Sequence, residues 1–240
     1  MSSPVHPAAR RATAEGIGTA TLVAAVVGSG IMATRLTADV GLQLLINAVA
    51  TVGALAVLIW SLGPISGAHF NPAVTLVATA RAEMRRSEAG LYIAAQILGA
   101  LLGAVVAHVM FELPAVTLAT KQRTGLGQWL GEIVATAGLL ALIGALTRTG
   151  LGRLGPALVP AWIGAAYFFT SSTSFANPAV TIGRAITDSF PGIAPGDVPG
   201  FIVAQLLGAA LGAALTEVFY PRAGTPEPLD LPAPVHDHQP

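Results

Sequence analysis

The pentapeptide Asn-Pro-Ala-Val-Thr occurs twice in this chain, at 71–75 and at 177–181, each time inside apolar surroundings. Proline lacks a backbone N–H and costs ~3 kcal/mol in a helix interior, but it is well accommodated at the first helical position. The preceding Asn is a strong N-cap. Each copy therefore reads as a helix start placed where a soluble protein would have no reason to start one. The apolar pieces that follow, 72–80 and 178–187, are too short to cross a bilayer, which takes ~20 residues. They read as half-helices on re-entrant loops, tolerated at membrane depth only where the irregular backbone lines a cavity or is buried in protein.

The rest of the chain supplies the membrane context. With 53% hydrophobic and only 10% charged residues, it is far from the roughly 25% charge of soluble domains. Apolar runs of spanning length fall at about 14–33, 42–62, 90–111, 128–147, 156–172 and 200–219, predicting six transmembrane helices. Arg10 and Arg11 before the first run imitate a signal peptide, but five further spans and a repeated motif in the first argue for a retained helix. Eight basic residues (Arg10, Arg11, Arg81, Arg85, Arg86, Arg148, Arg153, Arg222) fall on one side of an alternating six-span layout and four (Arg35, Lys121, Arg123, Arg184) on the other. That bias places both termini in the cytoplasm. The formal net charge is zero, so nothing suggests a nucleic-acid partner. Cysteine is absent, which removes disulfides and thiolate chemistry.

The chain is also duplicated. "YIAAQILGALLGAVVAHVMF" (92–111) and "FIVAQLLGAALGAALTEVFY" (201–220) align without gaps with ten identities in twenty, and "EGIGTATL" (15–22) matches "EIVATAGL" (132–139) at Glu, Thr and Leu. Each copy holds span, span, half-helix, span. Three full crossings are an odd number, so the second copy is inverted in the membrane. Inverted repeats with Pro-interrupted segments at matching positions point to a site near the bilayer midplane. There the two helix starts meet tip to tip, each with roughly half a positive charge from its dipole, a barrier to cations and protons. Asn71 and Asn177 can donate to a solute oxygen, while the loops before them, Gly67 to Phe70 and Thr173 to Ala176, present carbonyl acceptors. Such a path suits small neutral hydroxylated solutes.

With "SGAHFNPAVT" at 66–75, the second Asn-Pro-Ala, both Glu-xxx-Thr-xx-Leu motifs and the six-plus-two layout, the chain resembles the aquaporin/aquaglyceroporin (major intrinsic protein) family over about residues 12–220. The resemblance implies an all-α membrane protein: a cytoplasmic segment at 1–12, a channel domain at 13–220 with repeats at about 13–111 and 128–220, and a disordered Pro-rich cytoplasmic tail at 221–240. It implies a homotetramer with one pore per protomer, embedded in lipid in a bacterial inner membrane, with no cofactor, no metal and no enzymatic activity. Asn71, Pro72, Ala73, Asn177, Pro178 and Ala179 become the pore's midpoint. Gly67, Ala68, His69 and Phe70 line one half. Glu15, Glu132, Gln96 and Gln205 hold the re-entrant loops. Counting from the two Asn residues, the family's outer four-residue filter falls on Thr51, Ala165, Ser174 and Val180.

Here the chain departs from the family pattern. Water-selective and glycerol-conducting members alike carry Arg directly after the second Asn-Pro-Ala, and this chain has Val180. The substitution removes bulk, hydrogen-bond donors and a full charge, so the expectation is a wide, neutral filter that passes water and poorly excludes larger neutral solutes. Bacterial members from arsenic-resistance contexts look similar at this position, which suggests arsenous acid and other metalloid hydroxides beside glycerol-like polyols. A coupled secondary transporter is the alternative, since inverted repeats serve both classes. Arg184, seven residues beyond Asn177, falls on nearly the same helix face as the tip and is a candidate for the outer vestibule. His69 faces the cytoplasmic half, where a hydrogen-bonding role and a pH gate are both open. His236 and His238 flank Asp237 in the tail, where solvation is favoured over metal binding.

Overall fold

The computed structural model describes residues 7–222; the tail from 223 onward, with His236 and His238, lies outside the described residues, as do residues 1–6 of the N-terminal segment. The described chain is all helical: α1 (Ala8–Leu36), α2 (Val40–Ser66), α3 (Pro72–Ala80), α4 (Arg86–Met110), α5 (Leu126–Arg148), α6 (Gly155–Phe169), α7 (Pro178–Arg184) and α8 (Val198–Phe219). Five of these are long and apolar enough to cross a membrane. The sixth expected span, α6, has 15 residues and is preceded by a 3₁₀ turn at Gly152–Leu154. At 1.5 Å per residue it measures about 22 Å, so the turn is needed to bring the segment near full bilayer depth. It also stops at Phe169 rather than 172. The second half-helix ends at Arg184, one turn short of the expected 187.

Two-fold pseudo-symmetry runs through the packing. In repeat one α1 lies along α4; in repeat two α5 lies along α8. Glycines make both contacts close: a Cβ on Gly99 or Gly103 would sit 2.2 Å from the carbonyl oxygen of Gly16 or Ala20. The matching Gly208 and Gly212 would meet Ile133 O at 2.6 Å and Ala137 O at 2.3 Å. Small residues four apart let helix backbones touch, the usual device of apolar helices in lipid, where no hydrophobic force drives association. The apolar side chains left outside, among them Val49, Trp60, Leu98, Leu130 and Val218, are exposed as a lipid-facing surface requires.

The ends of the bundle differ chemically. At the end holding the N-terminus of α1, Arg11 pairs with Glu88, Arg81 and Arg148 pair with Glu217, and Arg222 donates to the Arg81 carbonyl. At the opposite end the connector between α4 and α5 runs beside the exit from α7: Thr117 N donates to Ile186 O, Ala119 N to Ala185 O, and Ala194 N to Lys121 O. This connector holds the second half-helix in place from outside the bundle.

Candidate functional site

Both half-helices begin as their sequence dictates. Asn71 and Asn177 are the N-caps of α3 and α7, each accepting on Oδ1 from the amide two residues on, Ala73 and Ala179, with Val180 N adding a second bond to Asn177. Their Nδ2 atoms cross over. Asn71 donates to Ala176 O at 2.7 Å, and Asn177 donates to Phe70 O at 2.8 Å. Each Asn thus bonds the residue just before the other, a two-fold clasp at the meeting of the tips. An amide nitrogen carries two hydrogens. The clasp uses one, which leaves one per Asn.

The loops leading to the tips are duplicated down to their backbone angles. Gly67, Ala68 and Phe70 have φ of 89°, 51° and 48°; the equivalent Thr173, Ser174 and Ala176 have 61°, 50° and 50°. Left-handed conformations are unfavourable for non-glycine residues, and for a β-branched one such as Thr173 they are outliers. They persist only where the surroundings over-determine them. Those surroundings are two buried carboxylates. Glu15 accepts from His69 N, Phe70 N, Ser66 Oγ and Gln96 Nε2. Glu132 accepts from Phe175 N, Ala176 N and Gln205 Nε2. Gln96 and Gln205 each carry the link onward to the half-helix, at Thr75 Oγ1 and Thr181 Oγ1. Each carboxylate is wholly buried and takes two of its donors from loop backbone and the rest from side chains.

A cavity of about 300 Å³ runs past these tips. From the end holding the N-terminus of α1 its wall carries Arg81 and Glu83, then His69, Ala68 and Gly67, then Asn71 and Asn177, and beyond them Thr51, Ser174, Val180 and Arg184. Between the polar positions the wall is aliphatic, with Val26, Leu55, Ile59, Val77 and Leu139. His69 Nδ1 lies 3.1 Å from Thr75 Oγ1, and its ring meets Tyr92 edge-on at 5.6 Å. His108 is elsewhere: both ring nitrogens are occupied, by Pro114 O and Thr187 Oγ1, as befits a packing residue.

One expected filter position is not on this wall. Ala165 faces outward and is exposed. The cavity is lined instead by Val159, Ile163 and Tyr167, four residues apart along one face of α6. Counting back from Asn177 gave a position two residues off that face. The Tyr167 hydroxyl lies 3.3 Å from Thr51 Oγ1, so an aromatic ring and a hydroxyl pair stand where a small Ala was expected. Sequence reasoning missed Tyr167, although the 163, 166, 167, 170 spacing of its buried neighbours is a helical stripe that excludes 165. Thr51, Ser174 and Val180 do line the cavity. Ser174 Oγ is buried without a hydrogen-bond partner among the described residues.

Arg184 does not reach out to solvent. It is 2% exposed and lines the cavity. Its Nε donates to Pro191 O, and its guanidinium carbon sits 3.2 Å from the centroid of the Phe175 ring. Arg123, from the α4–α5 connector, lies against the same ring at 5.0 Å and donates to Gly192 O and Ser172 O. Lys121, on the exposed connector, donates to Phe190 O; partial desolvation and the nearby Arg123 and Arg184 bring its pKa down to about 8.

Comparison with known proteins agrees with this architecture. The family model described as major intrinsic protein matches residues 3–175. The chain is 53% identical over 186 residues to the aquaglyceroporin AqpS of Rhizobium meliloti (strain 1021), covering 78% of this chain and 79% of that protein. It is 32% identical over 194 residues to the probable aquaporin TIP1-1 of Oryza sativa subsp. japonica, covering 75% and 77%. The X-ray structure of the aquaglyceroporin from Plasmodium falciparum superposes with a TM-score of 0.62 over 90% of this chain and 97% of the other, at 20% identity, and so shares the fold. Six helical segments and two tip-to-tip half-helices around a shared cavity, with this degree of likeness, identify the chain as an integral membrane protein of the major intrinsic protein family, a family of channels and not of enzymes.

Proposed function

We propose that the chain is a passive channel for water, glycerol-like polyols and arsenous acid, and that the residue at 180 sets its upper size limit. The observation that carries the reading is Val180, buried on the cavity wall one turn into α7 where a donor and a charge would otherwise narrow the path. Around it stand Thr51, Tyr167 and Ser174, two hydroxyl-bearing side chains and an aromatic ring with a hydroxyl. A polyol or a trihydroxide such as arsenous acid exchanges its water partners for these hydroxyls, for the loop carbonyls and for the remaining Asn71 and Asn177 hydrogens, while its carbon or arsenic side rests on aliphatic wall. A missing partner for a buried donor costs about 1–3 kcal/mol, so this replacement is what keeps passage fast. Tyr167 makes the mouth less open than Ala165 would, and Val180 remains the feature that distinguishes it from Arg-bearing pores. The pore belongs to the protomer, within a homotetramer in a bacterial inner membrane and with both termini cytoplasmic.

The test is stopped-flow light scattering on proteoliposomes with glycerol and arsenous acid, comparing wild type with Val180→Arg. Wild type re-swells with both solutes, and the Arg variant keeps water permeability while losing at least tenfold in the larger solutes. Equal solute permeability in the two proteins would remove residue 180 from the selectivity mechanism.

A further inference from the structure

Resting on the channel reading above, we propose that Arg184 is a specificity-determining residue of this pore: from the far end of α7 it supplies the fixed positive charge that position 180 lacks, and it excludes cations there.

Four observations carry this. Arg184 is almost wholly buried, yet it is on the cavity wall, so what it faces is the solute path rather than bulk solvent. Its guanidinium is held rigidly: Nε is anchored on Pro191 O, and its face lies on Phe175, whose ring is braced edge-on by Phe201 at 5.0 Å and whose amide is tied to Glu132. The two terminal nitrogens have no hydrogen-bond partner among the described residues, which leaves a fork of donors for solute oxygens. Finally, no carboxylate pairs with it among the described residues. Asp188 is engaged by Thr120, Asp197 by the Arg123 amide, and Glu132 by the Phe175 and Ala176 amides.

Arg123 has the opposite assignment. Its Nε and Nη1 bond the carbonyls of Gly192 and Ser172, so it ties the connector to the loop and braces Phe175. The two guanidinium carbons lie 3.2 and 5.0 Å from one ring centroid, hence within about 8 Å of each other, and their fields add at the mouth. A unit charge some 4 Å from a passing cation contributes between ~1 kcal/mol in water and ~4 kcal/mol at a protein-like dielectric, which is fivefold to nearly a thousandfold in cation passage. Neutral solutes are spared this penalty. Val180 and Arg184 thus divide between two levels of the path what one residue would otherwise combine: width at the first, charge at the second.

The experiment uses full-length protein in proteoliposomes, with K⁺ flux as the readout and water permeability as the measure of a folded, open pore. Arg184→Gln is expected to raise the ratio of K⁺ flux to water permeability at least fivefold, and Arg184→Lys to keep the wild-type ratio. Should the Gln variant not conduct water, Arg184→Met, which keeps the stem on Phe175, gives the K⁺ reading in its place. A water-conducting charge-removed variant as tight to K⁺ as wild type overturns the proposal and assigns the whole cation barrier to the Asn71–Asn177 tips. A Lys variant that leaks like Gln overturns it as well. Wild type that passes water but not glycerol would refute the polyol reading without altering either K⁺ comparison.

Discussion

Removing the Glu132 carboxylate should collapse the second re-entrant loop, and the structure says by how much. Glu132→Ala leaves Phe175 N, Ala176 N and Gln205 Nε2 without their acceptor, in a site that water does not reach. Each orphaned buried donor costs about 1–3 kcal/mol, and partial relaxation places the total at roughly 3–6 kcal/mol. The same carboxylate holds Ser174 and Ala176 in left-handed backbone, so its loss also frees the strain that fixes the loop carbonyls. Glu132→Gln is milder: one acceptor remains, but the amide group opposes an N–H donor, and about 2–4 kcal/mol is expected. Glu15→Ala should exceed Glu132→Ala, because Glu15 has four donors rather than three. The assay is paired: thermal unfolding in detergent, and water permeability after reconstitution. The expected order of thermal midpoints is wild type, then Glu132→Gln, then Glu132→Ala, then Glu15→Ala, with conduction lost as the loops release. A Glu132→Gln protein with wild-type stability and wild-type flux would refute the view that this carboxylate acts as a backbone anchor. Flux that instead followed pH in wild type and not in Glu132→Gln would favour the coupled-transport alternative.

Gly103→Ala and Gly212→Ala put a Cβ 2.2 and 2.3 Å from a facing helix carbonyl, so each should destabilise by roughly 1–3 kcal/mol, read as a lower thermal midpoint; unchanged midpoints would mean the helices separate at no cost. Thr173→Gly should stabilise by about 1 kcal/mol, since Gly accepts φ of 61° that a β-branched residue resists; a fall in midpoint would place the value of Thr173 in its side chain. Because Lys121 titrates near 8 in the folded chain against an ordinary value of 10.5, the unfolded chain binds the extra proton between those values. Stability should therefore rise modestly as pH increases from 8 to 10.5, and Lys121→Met should flatten that slope in a pH series of thermal midpoints.

Much of this architecture was legible because membrane helices declare themselves by length and Pro-Asn punctuation by position. Pro72 and Pro178 could only be helix starts, and both half-helices begin where they were expected. The repeat marks Glu15 and Glu132 as a pair, while the loop amides that bond them are set by the fold and not by spacing. What escaped were features set by three-dimensional register. Ala165 was located by counting through the 170–176 loop, and a count carries no information about which face of α6 turns inward; Tyr167 does so instead. Arg184 had the right phase for the cavity, but an Arg at the end of a short helix is as compatible with snorkelling to water as with burial. Its stack on Phe175 and its bond to Pro191, seven residues downstream, decide the matter, and neither is readable from spacing. The reciprocal Asn71–Ala176 and Asn177–Phe70 bonds likewise depend on how closely the inverted repeats meet.

The central claim, passive passage of neutral solutes, is tested most directly by glycerol entry into proteoliposomes with and without an imposed proton or sodium gradient. A channel brings internal glycerol to the external concentration and no further, at a rate the gradients do not change. Accumulation above the external concentration, or a rate that follows either gradient, would contradict the account.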